Sequence, residues 1–206
     1  RWPWMSQYTS VVFEKILINN KLKVIDIKMN EINGGSLEVI VAKRKSKRIS
    51  NTKLIKRIKK DEKKITFKAY QNFSKRIKRV KEDLVSFVDK NYPIIGYGAS
   101  TKGNIVLNYC KLSSQKINYV CDANTQKFGK YTPGSNIGII SKAKMRILKP
   151  KYILVLIWSF RSEVIKQELD YIKKGGNLIF HLPKFHIINK KNFKKFINKD
   201  FKNLSY

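Results

Sequence analysis

Apolar side chains along residues 8–19 fall at helical spacing, with Tyr8, Val11, Val12 and Ile16 on one face and Asn19-Asn20 as a stop. Residues 23–29 alternate instead: Val24, Ile25 and Ile27 are interspersed with Lys23, Asp26 and Lys28, which predicts a strand. Asn33-Gly34-Gly35 is a turn signal, and Leu37, Val39 and Val41 begin a second strand. Helix, strand, turn and strand are too little to close a core, so residues 1–43 read as the end of a larger domain. Leu54, Ile55 and Ile58 predict a helix. Phe67, Tyr70, Phe73, Ile77, Val80, Leu84 and Phe87-Val88 then recur every three or four residues and predict an amphipathic helix of about 20 residues. Pro93 ends it.

Beyond Pro93 the period switches repeatedly between strand and helix. Short apolar strands are expected at 94–97, 117–121, 152–158 and 178–182, with helices at 104–110 and 160–174 and a loop over 124–137. Gly175-Gly176 closes the second of those helices. This alternation predicts an α/β fold, a Rossmann-like, mostly parallel sheet with right-handed crossovers and flanking helices. Phe193, Phe196, Ile197 and Phe201 keep helical spacing in a basic tail, leaving a docked helix and a frayed end both open. The expected division is 1–43, a basic helical connector 44–92, the Rossmann-like unit 93–184 and a tail 185–206.

Charge adds less than its size suggests. The 206 residues carry 45 Lys and Arg against 14 acids, a formal +31. Residues 43–90 alone hold 19 cations and 5 acids. Clustered cations suit nucleic acid, because they displace counterions from phosphates. Yet only 8 are Arg, the residue whose fork reads bases and phosphates. Lys, Ile and Asn together make 81 residues, the mark of an AT-rich coding sequence. Nonspecific polyanion affinity is the expected side effect, and a basic nucleic-acid-binding protein is one alternative reading. The longest apolar run, 152–158, is too short for a membrane span, and no secretory leader is legible, so a cytoplasmic protein is expected. Two cysteines exclude a disulfide framework; Cys110 and Cys121 read as core residues, and His181 and His186, lacking neighbours at metal spacing, as structural or surface groups.

The candidate chemistry lies in Gly96-Tyr97-Gly98-Ala99-Ser100-Thr101-Lys102-Gly103-Asn104, between a strand and a helix. Glycines allow a tight turn, and the helix N-terminus offers N–H groups and a positive dipole end to a phosphate. Lys102 adds a charge; Ser100 and Thr101 add hydroxyls. The spacing is neither G-x-G-x-x-G nor a Walker A loop, so an NAD(P)- or other nucleotide-binding module is a second alternative. Asp122 ends the next strand, where an acid often accepts ribose hydroxyls. Lys130, Tyr131 and Pro133 follow, and Trp158 ends the third strand; all are expected on the carboxyl edge of the sheet.

Several strings in register resemble one family. The glycine loop with Leu107-Asn108-Tyr109-Cys110, then Asp122-Ala123-Asn124, Lys127-Phe128-Gly129-Lys130-Tyr131-Thr132-Pro133-Gly134 and Leu154-Val155-Leu156-Ile157-Trp158-Ser159-Phe160, are similar to the C-terminal domain of SAM-dependent sugar C-methyltransferases. Those enzymes methylate a ring carbon of nucleotide-linked deoxysugars. The resemblance spans roughly residues 8–184. It implies that 1–43 is the terminal helix and β-hairpin of a class I methyltransferase domain, and that a nucleotide-linked sugar is the substrate. It also implies that S-adenosylmethionine serves the complete enzyme, and that a separate zinc- and SAM-binding N-terminal part is the partner. Gly96, Gly98, Ala99, Ser100, Thr101, Lys102, Gly103, Asn104, Asp122, Lys130, Tyr131, Pro133 and Trp158 are then the expected substrate contacts.

The departures are equally specific. The family's cysteine segment and SAM loop have no counterpart here, and Ser159 stands where the family usually has Asn. Trp2-Pro3-Trp4-Met5 occupies the region of a Tyr-His-Glu-His stretch that supplies the base. Methylating a carbon requires a base to remove its proton. The expectation is therefore a substrate-binding part that holds no cofactor or metal and does not methylate alone.

Overall fold

The computed structural model describes residues 9–30 and 36–197. Asn33-Gly34-Gly35, Trp2-Pro3-Trp4-Met5, Tyr8 and Phe201 lie outside the described residues. The chain divides into two compact units, Arg1–Ser74 and Lys75–Tyr206.

In the first unit, α1 (Ser10–Asn19) is capped by the Thr9 side chain, which accepts from Val12 N. Strands β1 (Leu22–Asn30) and β2 (Ser36–Lys43) form an antiparallel two-stranded sheet, with an irregularity between Val24 and Asp26. Helix α2 (Thr52–Glu62) begins at an Asn51 cap. One small cluster, Leu17, Val24, Ile27 and Ile55, forms the core.

Helix α3 (Phe67–Asn91) crosses the unit boundary and is longer than its pattern suggested. Its apolar stripe is not buried throughout. Leu84 and Val88 are sealed in the second unit's core, whereas Phe67 and Tyr70 stay exposed. The amphipathic pattern marks a face that can be covered, and only the helix's last turns meet the sheet of the second unit.

The second unit is a six-stranded sheet in the order β5-β4-β3-β6-β7-β8. Strands β3 (Ile94–Tyr97), β4 (Ile117–Asp122), β5 (Ile139–Ser141), β6 (Tyr152–Val155) and β7 (Asn177–Phe180) are parallel; β8 (His186–Ile188) is antiparallel to β7. The predicted mostly parallel α/β sheet is thus observed. Both faces are covered, so the central strands are apolar without interruption. Along β6 and the residue after it, Ile153 and Val155 enter one core and Leu154 and Leu156 the other, the period of two that a pleated strand imposes. Helix α4 (Thr101–Tyr109) and the end of α3 contribute to the second core. Helices α5 (Lys142–Leu148), α6 (Arg161–Gln167) and α7 (Leu169–Lys173) contribute to the first.

Three elements differ from the sequence pattern. The expected helix 160–174 is broken at Glu168, whose backbone leaves helical geometry while its buried carboxylate accepts from Tyr97 in the core and pairs with the exposed Arg146. Strand β6 ends at Val155, and Trp158–Phe160 forms a 3-10 turn. The segment after Leu182 supplies β8 and a 3-10 turn, Phe193–Lys195, and Phe193, Phe196 and Ile197 pack against the core.

Candidate functional site

Running outward from β3, the chain proceeds to β4 and β5 on one side; β6, β7 and β8 build the other. The order reverses between β3 and β6. In open α/β sheets, ligands bind outside the carboxyl ends of the strands at such a switch point. The glycine loop sits there, because it joins the end of β3 to α4.

Each glycine has its own steric reason. A Cβ on Gly96 would meet Val120 Cγ2 at 2.9 Å, and one on Gly103 would meet Leu156 Cβ at 2.8 Å; Gly96 makes room for the neighbouring strand, and Gly103 lets α4 lie close on the sheet. Gly98 has φ +91°, and a Cβ there would lie 2.5 Å from Ile157 Cγ2. Of the three loop glycines, it alone combines a left-handed turn with a close approach. Ser100 caps α4, its Oγ accepting from Gly103 N at 3.0 Å. This satisfies one first-turn donor and leaves the positive end of the helix on the ligand edge. Thr101 is exposed, and Lys102 and Asn104 are half-buried. The buried Oδ1 of Asn104 has no hydrogen-bond partner among the described residues.

Asp122 reaches back under the loop. Its Oδ2 accepts from Ala99 N at 2.8 Å, and its Oδ1 accepts from Asn124 N at 2.8 Å. Lys127 donates to Ala99 O at 2.9 Å and to Asp122 Oδ2 at 3.1 Å. Both oxygens of Asp122 are therefore occupied by protein donors. That makes Asp122 an anchor of the loop. Lys127, a constituent of the site, was not singled out by sequence; its spacing from Asp122 carries no known chemical signature.

The loop after β4 runs back beside β5. Lys130 O accepts from Ile139 N at 2.8 Å, and Tyr131 bridges Gly138. Pro133 O accepts from Asn108 Nδ2 at 3.0 Å, near the C-terminal end of α4. Eight residues of helix separate Asn108 from Ser100, about 12 Å at the α-helical rise. The structure thus gathers Gly98, Ala99, Ser100, Asp122 and Lys127, and it sets Pro133 apart from them. Trp158 opens the turn after β6 and is partly buried against the core. A cavity of about 560 Å³ lies at the opposite edge, between the ends of α5 and α7. Two of its cations, Lys149 and Lys174, cap helix C-termini, where positive charge offsets the helix dipole.

Cys110 and Cys121 are buried and free, and burial pushes the Cys121 thiol up to about 12. His181 is 1% exposed with neither ring nitrogen hydrogen-bonded among the described residues, and burial lowers its pKa to about 4. His186 stacks between Phe180 and Phe196, and its Nδ1 lies 2.6 Å from Lys184 O. Among the described residues, no group of three or more His, Cys, Asp or Glu could hold a metal ion, and no helix is long and apolar enough to cross a membrane.

Residues 31–183 match the family described as C-methyltransferase C-terminal domain. The chain belongs to that family. The C-methyltransferase C-terminal domain match takes in the whole glycine loop, Asp122 and Lys127. The chain is also 28% identical over 174 residues to C-methyltransferase NovU of Streptomyces niveus, which covers 82% of this chain and 41% of that protein. The chain thus spans less than half the length of that relative.

Proposed function

We propose that this chain is the substrate-holding part of a SAM-dependent C-methyltransferase acting on a nucleotide-linked sugar, and that the methyl donor site and the base belong to a part outside it. The observation that carries the reading is the β3–Gly98–α4 turn at the switch point of a sheet in a C-methyltransferase C-terminal domain. There the capped N-terminus of α4 offers first-turn N–H groups and Lys102 to a diphosphate. The sugar would extend beyond the loop.

S-adenosylmethionine supplies the methyl group in this family. The described residues do not fit it. The first unit has a two-stranded antiparallel sheet, which offers no crevice between parallel strands. In the second unit, the acid placed to take ribose hydroxyls is Asp122, already engaged by Ala99, Asn124 and Lys127. No step of the methyl transfer is therefore assigned to these residues. The need for a further part is supported by the first unit's exposed apolar side chains: Val11, Val12, Ile16 and Ile18 on α1, with Leu37 and Val41 on β2. Apolar side chains left outside a core this small are what a neighbouring domain would cover. The first unit is the expected docking surface for a SAM-binding part.

Titrating dTDP into the chain, with backbone amide resonances as the readout, tests the reading. Saturable movement of Gly98 and Gly103 is expected. Resonances that stay in place at millimolar dTDP would sink it.

A further inference from the structure

The Ala99 peptide is held from both sides. Its N–H donates to Asp122 and its carbonyl accepts from Lys127, and these two side chains are ion-paired at 3.1 Å. Asp122 is 12% exposed at its side chain and Lys127 38%, so the carboxylate lies beneath the loop and the ammonium reaches solvent. An ammonium has three N–H donors. Among the described residues two of them are engaged, with Ala99 O and with Asp122, which leaves the third for a ligand. Lys127 is therefore fixed at the carboxyl end of β4, against the loop whose helix N-terminus already favours an anion.

A lysine needed only to neutralise Asp122 would not have to touch the Ala99 carbonyl as well. That second bond fixes the ammonium relative to the loop rather than relative to the acid alone. A fixed point charge whose ordering cost is already met in the free protein binds an oxyanion more tightly than a mobile one.

Resting on the nucleotide reading above, we infer that Lys127 is a phosphate ligand of the bound nucleotide: its third N–H donates to a diphosphate oxygen, and Asp122 is the positioning residue that holds it there. The ligand class is a nucleoside diphosphate, free or carrying its sugar. Lys127 thereby selects for phosphate, whereas it contributes nothing to recognition of the base or ribose.

The test compares dTDP with thymidine on the intact chain, before and after K127M. The dTDP affinity should fall about tenfold, the scale of one charge-assisted contact, with thymidine affinity held within about twofold. K127R keeps the charge and should recover part of the dTDP affinity. D122N should also weaken dTDP, through a displaced Lys127, and in the K127M background it should weaken dTDP no further. Equal losses for dTDP and thymidine in K127M would overturn the inference, since Lys127 would then only shape the loop. An unchanged dTDP affinity in K127M would overturn it too. Failure of the unaltered chain to bind dTDP is a different result, one that removes the nucleotide reading itself.

Discussion

The two units are built on opposite principles. In the second, apolar clusters of thirteen and twelve buried residues fill the two faces of a six-stranded sheet. In the first, four buried apolar residues form the core, and polar clips do much of the remaining work. Glu62 accepts from Ser10 N at 2.6 Å and from Ser10 Oγ at 2.7 Å; Lys59 pairs with Glu14; Ser50 Oγ donates to Val24 O at 2.7 Å. A sheet covered on both faces supplies its own driving force. A hairpin covered on one face does not, and it leaves apolar side chains outside. The difference supports the view that the first unit is a docking piece and the second a self-sufficient one.

Core truncation should separate the two most sharply. Leu154 is fully buried in a central strand, so Leu154→Ala is expected to cost about 2–5 kcal/mol. Leu17 is 7% exposed in the small cluster, whose open surroundings can relax, so Leu17→Ala should stay near about 2 kcal/mol, the low end of that range. Urea unfolding of both variants measures this. A Leu17→Ala loss as large as that of Leu154→Ala would break the contrast.

Acid should act on the second unit, which holds both histidines. His181 titrates near 6.5 when unfolded and about 4 when folded, because burial disfavours its charged form. The unfolded state then binds the proton first. Stability is fully present above about pH 6.5 and is lost as pH falls through that value toward 4. His181→Phe should flatten this part of the pH profile in urea unfolding. A profile unchanged by the substitution would show that His181 does not set it.

How much of this was legible beforehand depends on what each residue's signal was. Strands β3, β6 and β7 were readable because burial on both faces makes them apolar runs, and β4 because Ile117 and Val120-Cys121 stand out around an exposed Asn118. Strands β5 and β8 have three residues each, too short for any period to show. The break at Glu168 was invisible because it depends on Tyr97 and Arg146, distant in sequence. At the site, the glycine loop announced itself through its own spacing. Lys127 did not, because its role comes from a carbonyl 28 residues away. The position of Asp122 at the end of β4 was legible; that it anchors the loop through Ala99 N and Asn124 N is a tertiary fact.

The polar clips give the finest test. Glu62 receives two bonds from Ser10, and hydrogen bonds to a charged group contribute about 1.5–3 kcal/mol, so Glu62→Ala should loosen α1 measurably in hydrogen exchange. The Lys59–Glu14 pair is about one-third exposed on each side, which puts its contribution in the range of about 0–1 kcal/mol. Glu14→Gln should therefore have the smallest effect of the set, and molar salt should abolish it, since the screening length then falls to about 3 Å. Salt should leave the Leu154→Ala loss intact, because that loss comes from apolar burial. If molar salt instead left the Glu14→Gln effect unchanged, the first unit's clips would be acting by packing rather than by charge, and the division between the two units would narrow to core size alone.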